Sequence, residues 1–600
     1  PAPPAILAAL AWAAVGLVGL RCAPVFELEA TRGELVVRAS PVGAPRVEGA
    51  RVAVDFALSV ANEGPGVVAV LEATSVPDGA SLDGLPLELG PVARGARGPL
   101  SGGFTAVFDA QGYLRADEIR LALTTETARD AAGFEVDRFG EWLVGDLHVH
   151  ATGASNDTDD QSRPADIKRV ARERGLDFVV LTDHAEGLGI GVELLDGNPT
   201  LMEDKDAKRW HEMMVAGGEQ ARQVGVEIPA ALASGTLPQV IQDPKVLVPI
   251  AKGVWAENNR IAEQFYEPRR FTTLIGYEWT SVPNGNNLHR NVILRDGKDR
   301  ADQLLPFSSM QSEDPEDLWA WMEKYESQTG GRALAIPHNG NLSNGRMFAL
   351  VDFEGEPLTP NYVERRARWE PLYEVTQIKG DGEAHPELSP NDELAGYGVE
   401  GWDNGNLTLQ ELETPEMRSG EYAREALKQG LKLESSLGAN PFKFGMVGST
   451  DAHTALTGVE EDNFFGKQAP YEPSPERAMH VSKELNGVTR YAWQYLAGGR
   501  AAVWATENTR EAIWDALERK EVYATTGSRM KVRFFGGWDF DPNDAELRDI
   551  GTVGYVKGVP MGGDLTHGPD GGSPTFLIQA SRDPIGANLD RVQIVKGWLD

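Results

Sequence analysis

Residues 145–150 read Gly145-Asp146-Leu147-His148-Val149-His150 and follow the apolar run Trp142-Leu143-Val144. Such a run reads as a buried strand, and residues two apart in a strand project to the same side. His148 and His150 therefore bring two imidazoles to one point, which is how a strand presents a metal ion. The remaining ligands must come from elsewhere in the chain. The single cysteine, Cys22, excludes an intramolecular disulfide and any cysteine-based zinc cluster. His, Asp and Glu must serve, a donor set that favours Zn, Mn or Fe over thiophilic ions.

The candidate ligands recur at strand ends. The run 176–181 ends in Thr182-Asp183-His184, 272–277 in Glu278, 333–337 in His338, 373–378 in Lys379, and 444–449 in Thr450-Asp451-Ala452-His453. His289 precedes the run Arg290-Asn291-Val292-Ile293-Leu294. Helical patterns alternate with these runs; residues 164–174 read as a helix with Pro164 at its start and Gly175 at its end. Strands alternating with helices argue for parallel βα units. Polar residues at the C-terminal strand ends are where (βα) barrels build active sites.

The organisation is predicted as follows. Residues 1–24 contain an apolar run ended by Arg21, read as an export signal or a single membrane anchor, which places the remainder outside the cytoplasm. Residues 25–140 alternate apolar and polar between Gly- and Pro-rich turns, the pattern of a β-sandwich. The α/β part covers 141–527, with a helical insertion near 186–270. Residues 528–600 return to short strands, including 591–595, and read as a C-terminal β-domain truncated just after a strand. The formal charge of −33, from 90 acidic and 57 basic residues, argues against a nucleic-acid partner, which needs a basic stripe.

On this reading His148, His150, Glu278 and Asp451 hold a first metal, and Glu278 bridges to a second held by His289 and His338. His184, His453 and Asp157 form a third site. A carboxylate suits the bridge because each oxygen can take one cation, and two cations can hold a hydroxide between them and clamp the attacked oxygen. Any one of these histidines is as readily structural. Six of the ten histidines at strand ends with a Glu and an Asp are not so readily explained. His211, His480 and His567 sit in helical or loop contexts and are read as structural; His385 is left open. Asp183 reads as orienting a ligand. Lys379 and Arg290 are candidates to hold an anionic substrate or stabilise the leaving group, and equally candidates for structural ion pairs.

These residues, in this order, resemble the PHP (polymerase and histidinol phosphatase) superfamily of metallohydrolases. His148-Val149-His150 resembles its first motif, Thr182-Asp183-His184 its second, Pro337-His338 its third and Ser449-Thr450-Asp451-Ala452-His453 its fourth, with Glu278 and His289 between. Longer stretches, among them Gly276-Tyr277-Glu278-Trp279-Thr280-Ser281, are similar to a bacterial branch of unknown function, and residues 145–184 to carbaryl-hydrolase-type members. The resemblance covers 141–600 and implies a distorted seven-stranded (βα) PHP barrel, here flanked by N- and C-terminal β-sandwich-like domains, with two or three divalent cations. It departs in the loop after His150, which leaves the third site open.

The function expected is hydrolysis of a small, anionic phosphoester, with His184 or His453 assisting the leaving group. A carbamate or carboxylester hydrolase, as in the carbaryl-hydrolase type, is the alternative reaction. A non-catalytic, metal-containing cell-surface binding protein is the alternative class.

Overall fold

The computed structural model describes residues 28–599 apart from 33–34, 49–50, 63–66, 93–95, 110–118, 128–140, 152–162, 455–456, 458–466, 468–474, 548–549, 567 and 569–571. The apolar leader, Asp157 and His567 lie outside the described residues. No helix among the described residues is long and apolar enough to cross a membrane. The chain separates into two compact units: residues up to 140 with 533–560 and 564–579, and residues 141–532 with 561–563 and 580–600.

In the first unit, a five-stranded sheet has Leu35–Glu48, Arg51–Asn62 and Arg97–Phe108 at its centre and Leu28–Arg32 and Ala80–Asp83 at its edges. A second sheet sets Val67–Ser75 between Leu87–Val92 and Arg120–Thr127. All pairings are antiparallel. Inward residues of both sheets, including Val37, Phe56, Phe104, Leu71 and Leu123, share one core, as period-2 alternation requires. A small sheet of Gly558–Pro560, Lys531–Gly537 and Thr575–Ser581 has its own core of Phe535, Ile550, Tyr555 and Leu577. The run 591–595 takes no strand.

The second unit is mixed α/β. Its strands are β1 (Glu141–Asp146), β2 (Phe178–Leu181), β3 (Thr272–Trp279), β4 (Arg290–Leu294), β5 (Ala333–Pro337), β6 (Leu372–Gln377), β7 (Gly445–Gly448), β8 (Arg500–Ala505) and β9 (Val522–Thr525). A curled seven-stranded sheet runs β5-β4-β3-β2-β1-β8-β9, while β6 and β7 pair in a separate small sheet. Leu147, Phe178, Val180, Leu274, Ile293, Ile336, Leu372, Val447 and Val503 form a shared interior. Packing is tight: a Cβ on Gly145 would fall 2.3 Å from the Phe178 ring.

Strand direction differs from the parallel expectation. β1, β2 and β3 are parallel, as are β6 and β7. β4 runs antiparallel to both β3 and β5, and β8 antiparallel to β1 and β9. The β3–β4 reversal has a plain cause. Residues 280–289 contain only a single 3₁₀ turn, Pro283–Gly285, and a parallel crossover needs a dozen or more residues.

The expected first helix is present at Pro164–Glu173, with Gly175 behind it at φ 71°. Residues 190–265 are largely helical, with a separate core that includes Ile190, Leu194, Trp210, Ile228 and Ile241. Isolated parallel bridges join Val149 to Ala452, His184 to Glu278 and His338 to Glu374. Each joins at least one residue just past a strand end, and together they draw the candidate ligands inward.

Candidate metal centre

Two short turns aim the ligands. Asn339, just after His338, has φ 51° and Asp451 has φ 55°, the left-handed region that Asn and Asp tolerate better than most residues. Asp146 then fixes the turn at Asp451. Its buried carboxylate accepts hydrogen bonds from the Thr450 hydroxyl (2.5 Å), the Thr450 amide (3.1 Å), the His148 amide (3.2 Å) and the Thr457 hydroxyl. Burial pushes its pKa up, and the four donors work against that. The Asp451 amide donates to His148 O (2.8 Å) and the His150 amide to Ala452 O (3.0 Å), so the two ligand segments lie side by side.

The centre of the site is the carboxylate of Glu278. Its Oε1 lies 2.6 Å from His289 Nδ1 and 2.9 Å from His338 Nε2. Its Oε2 lies 2.7 Å from His184 Nδ1, 3.3 Å from His150 Nε2 and 3.8 Å from His148 Nε2. Asp451 Oδ1 is 3.5 Å from His148 Nε2 and 3.4 Å from His150 Nε2. His453 stacks on His150 with ring centroids 4.1 Å apart.

Three sets converge with ligand atoms within 4.8 Å of one another: His148, His150 and Asp451; His148, Glu278 and His338; and His150, His184 and His453. The structure thus brings together every candidate ligand it describes. The grouping differs from expectation in that His148 joins Glu278 and His338. Among the third-site candidates, His150 joins His184 and His453.

The side chains suit cations. His148 Nε2 and His150 Nε2 are 3.1 Å apart; two imidazole nitrogens on one tetrahedral zinc ion, each about 2.0–2.1 Å from it, stand at a comparable separation. Among the described residues the buried His289 Nε2 makes no hydrogen bond, and the buried Glu278 carboxylate meets only imidazole nitrogens, at 2.6–3.8 Å. Buried polar atoms in native proteins are satisfied as a rule, and cations would engage these lone pairs. The clusters could hold divalent metal ions.

The electrostatics follow from crowding. Burial and the neighbouring His453 and His184 push the His150 pKa down; burial brings His289 down to about 4. Burial opposes the charge on Glu278, yet His184 and His289 hold its carboxyl well below the usual range. Burial likewise opposes Asp451, where Lys379 and Lys467 prevail and keep it ionised. Burial disfavours a charged His148, but Glu374 and Asp451 outweigh it and raise its pKa to about 10.

Three contributors carried no signal read from the sequence. Glu374, buried within β6, places Oε1 3.0 Å from His148 Nδ1 and accepts from Asn291 Nδ2 at 3.3 Å. Gln377 donates from Nε2 to Asp451 Oδ2 (2.9 Å) and Asn339 Oδ1 (2.8 Å). Lys467 Nζ donates to Asp451 Oδ1 at 2.9 Å and lies 3.0 Å from His453 Nδ1. Glu374 had a findable signal, since a carboxylate inside a fully buried strand needs a partner.

Of the two cations singled out in the sequence, Lys379 reaches the site: its Nζ contacts Asp451 Oδ2. Arg290 does not. It pairs with Trp279 across β3 and β4, so it shares that residue's face of the sheet and not Glu278's. There its Nε donates to Glu370 Oε1 at 3.0 Å, beside Arg366 and Trp319 on the same carboxylate. Arg290 is a buried structural ion pair. Asp183 ties backbone to helix, accepting from the Ala151 amide (2.7 Å) and from Asn258 Nδ2 (3.0 Å), and burial raises its pKa to about 7.

The family model described as "Protein of unknown function (DUF3604)" matches residues 141–600. No curated protein matches the chain. Among solved structures, the chain is similar to the crystal structure of a two-domain protein containing a predicted PHP-like metal-dependent phosphoesterase from Bacteroides vulgatus ATCC 8482. The identity is 13%, the coverage 67% of each chain and the TM-score 0.27.

Proposed function

The chain belongs to the DUF3604 family, whose description names no reaction, and from its own side chains we propose a divalent-metal-dependent hydrolase acting on phosphoesters. One observation carries this reading. The Glu278 carboxylate offers one oxygen to His289 and His338 and the other to His148, His150 and His184. A carboxylate with imidazoles on both sides suits two neighbouring cations better than one.

In this reading His148, His150 and Asp451 hold one cation and His338, His289 and Glu278 a second, with His184 and His453 at a third. Bound divalent cations would supply water activation at neutral pH and polarisation of the attacked oxygen. The protein fixes the ligands: Glu374 holds His148 by its Nδ1, Gln377 and the lysines hold Asp451, and Thr280 Oγ1 lies 2.6 Å from His184 Nδ1. The Lys379 ammonium stands where charge on a departing oxygen can be met. In place of holding a third cation, His184, the most exposed of these histidines at 14%, would be the residue to hand that oxygen a proton. The order of the motifs, which resembles the PHP superfamily, supports phosphoesters over carbonyl substrates.

The test is paired hydrolysis by metal-loaded protein of an aryl phosphomonoester and phosphodiester against an aryl carbamate and carboxylester, with His338→Ala as control. Phosphoester turnover that disappears in a folded His338→Ala protein is the expected result. Turnover of carbamate or carboxylester alone would move the reaction to carbonyl chemistry, and no turnover at full metal load would defeat the hydrolase reading.

A further inference from the structure

A second group of buried oxygens lies between the turn after His338 and the segment 413–422, and it uses none of the histidine-centre ligands. Glu413 Oε1 accepts from Arg418 Nε at 2.6 Å, and Glu421 Oε1 accepts from the Gly345 amide at 3.2 Å. The other oxygen of each carboxylate, Oε2, is buried and makes no hydrogen bond among the described residues. The same holds for the Tyr422 hydroxyl and for Asn344 Oδ1. Glu421 and Tyr422 are 0% and 1% exposed, and the Glu413 side chain is 1% exposed. Buried polar atoms are rarely left without partners, and here four of them, all oxygens, belong to one neighbourhood.

The neighbourhood is defined by contacts and by charge. Arg418 holds Glu413 by its side chain and Glu421 by its backbone, since the Glu421 amide donates to Arg418 O at 3.1 Å. The Tyr422 ring packs on His385 with centroids 5.2 Å apart. Burial, then the charge of Glu413, pushes the Glu421 carboxyl up to about 8. Burial, then the charges of Glu421 and Glu413, keeps the Tyr422 phenol neutral.

The cationic side chains around this group are engaged elsewhere. Arg418 serves both Glu413 and Glu387. Arg490, which feels Asp403 and Glu413, donates to the carbonyls of Gly401 (3.0 Å) and Gly405 (3.1 Å), and Lys483 donates to Leu407 O at 3.2 Å. His385 Nδ1 accepts from the Glu387 amide at 3.1 Å, which leaves Nε2 to Asp403 at 3.6 Å. Among the described residues Glu421, wholly buried, has no ion pair; the charge that bears on it most is another carboxylate. A buried carboxylate in that position is costly unless a cation reaches it.

We propose that Glu413, Glu421, Asn344 and Tyr422 form a calcium site that staples the turn after His338 to the segment 413–422. Two carboxylate oxygens, an amide oxygen and a phenol oxygen are hard donors, with no nitrogen or sulfur among them, and this is the ligand chemistry of calcium. Oxygens that each stand about 2.3–2.6 Å from one ion need no hydrogen bonds to one another. Glu387 and Asp403, the more exposed carboxylates at 58% and 26%, give the ion an acidic approach. The site does not depend on the hydrolase reading.

The experiment is calorimetric titration of Ca²⁺ into the full, zinc-loaded chain and its Glu421→Gln, Glu413→Gln and His338→Ala forms, with melting curves recorded in calcium and in calcium-free buffer. The parent should take one Ca²⁺ per chain and melt higher with it. Glu421→Gln and Glu413→Gln should bind Ca²⁺ about tenfold to a hundredfold more weakly and lose the rise in Tm. His338→Ala should bind Ca²⁺ like the parent. In calcium-free buffer Glu421→Gln should melt no lower than the parent, which establishes that it folds.

No saturable Ca²⁺ binding by the parent would overturn the site. So would equal affinity in the parent and in folded Glu421→Gln, which would make the binding a property of the acidic surface. Ca²⁺ binding lost in His338→Ala but kept in Glu421→Gln would assign the ion to the histidine centre and also overturn it.

Discussion

Glu374 holds His148 by the far side of its ring: the carboxylate sits 3.0 Å from Nδ1, and this turns Nε2 toward His150 and Asp451. A carboxylate behind an imidazole fixes the tautomer and raises the basicity of the facing nitrogen. Glu374→Gln keeps the shape and removes the charge. It should weaken metal binding about tenfold to a hundredfold while the protein stays folded. Competition with a chromogenic chelator measures this, and a variant that holds metal like the parent would show that Glu374 only fills space.

Metal removal should destabilise the second unit. The site gathers five imidazoles around one buried carboxylate, and a ligand that binds only the folded state adds about 4 kcal/mol at a thousandfold excess over Kd. Dialysis against a chelator should lower Tm, and Zn²⁺ or Mn²⁺ should restore it. His338→Ala should show a smaller restoration. Equal melting curves with and without metal in the parent protein would contradict a shared structural and catalytic centre.

The buried group Arg290–Glu370–Arg366 predicts a stability effect without a catalytic one. Glu370 accepts from Arg290 Nε, Arg366 Nε and Trp319 Nε1, each at 3.0 Å. Glu370→Ala leaves two buried guanidinium groups unpaired and should cost about 3–5 kcal/mol. Arg290→Met should lower the denaturant midpoint yet leave KM for a phosphoester as it was. A raised KM at unchanged stability would return Arg290 to the substrate.

Glu421 predicts a pH dependence away from the metal site. Burial, then the nearby Glu413, raises its pKa to about 8; its Oε1 accepts from the Gly345 amide at 3.2 Å. A carboxyl with a raised folded pKa binds more protons folded than unfolded, so it opposes stability increasingly as pH rises from the ordinary Glu value toward about 8. Glu421→Gln keeps the acceptor and removes the charge. It should raise Tm at pH 8 by about 2–4 °C and by less at pH 5. The same gain at both pH values would mean that the ionisation of Glu421 has no part in it.

The sequence exposed the ligands because their positions obey simple rules. His148 and His150 carry the period two of the run before them just past the end of β1, and Glu278, His338 and Asp451 fall where apolar runs stop. The same period-two rule explains Arg290, which follows His289 directly and so faces the other way. Strand direction was not legible. A helix lies between β4 and β5 and another between β8 and β9, yet both pairs are antiparallel, and helical spacing alone does not say where a chain re-enters a sheet. Lys467 was not legible either, since a lysine in a loop becomes a site residue only through the fold around it.

Two of the isolated bridges, Val149 to Ala452 and His338 to Glu374, join the seven-stranded sheet to the small β6–β7 sheet. Each lies beside or on a residue of the candidate metal centre. The site is thus a seam between two sheets, and a cation placed there acts as a rivet. Assembly of the centre and docking of the sheets become one event, so unfolding of the loaded unit should be all-or-none, and loosening any single ligand should first appear as a broader transition.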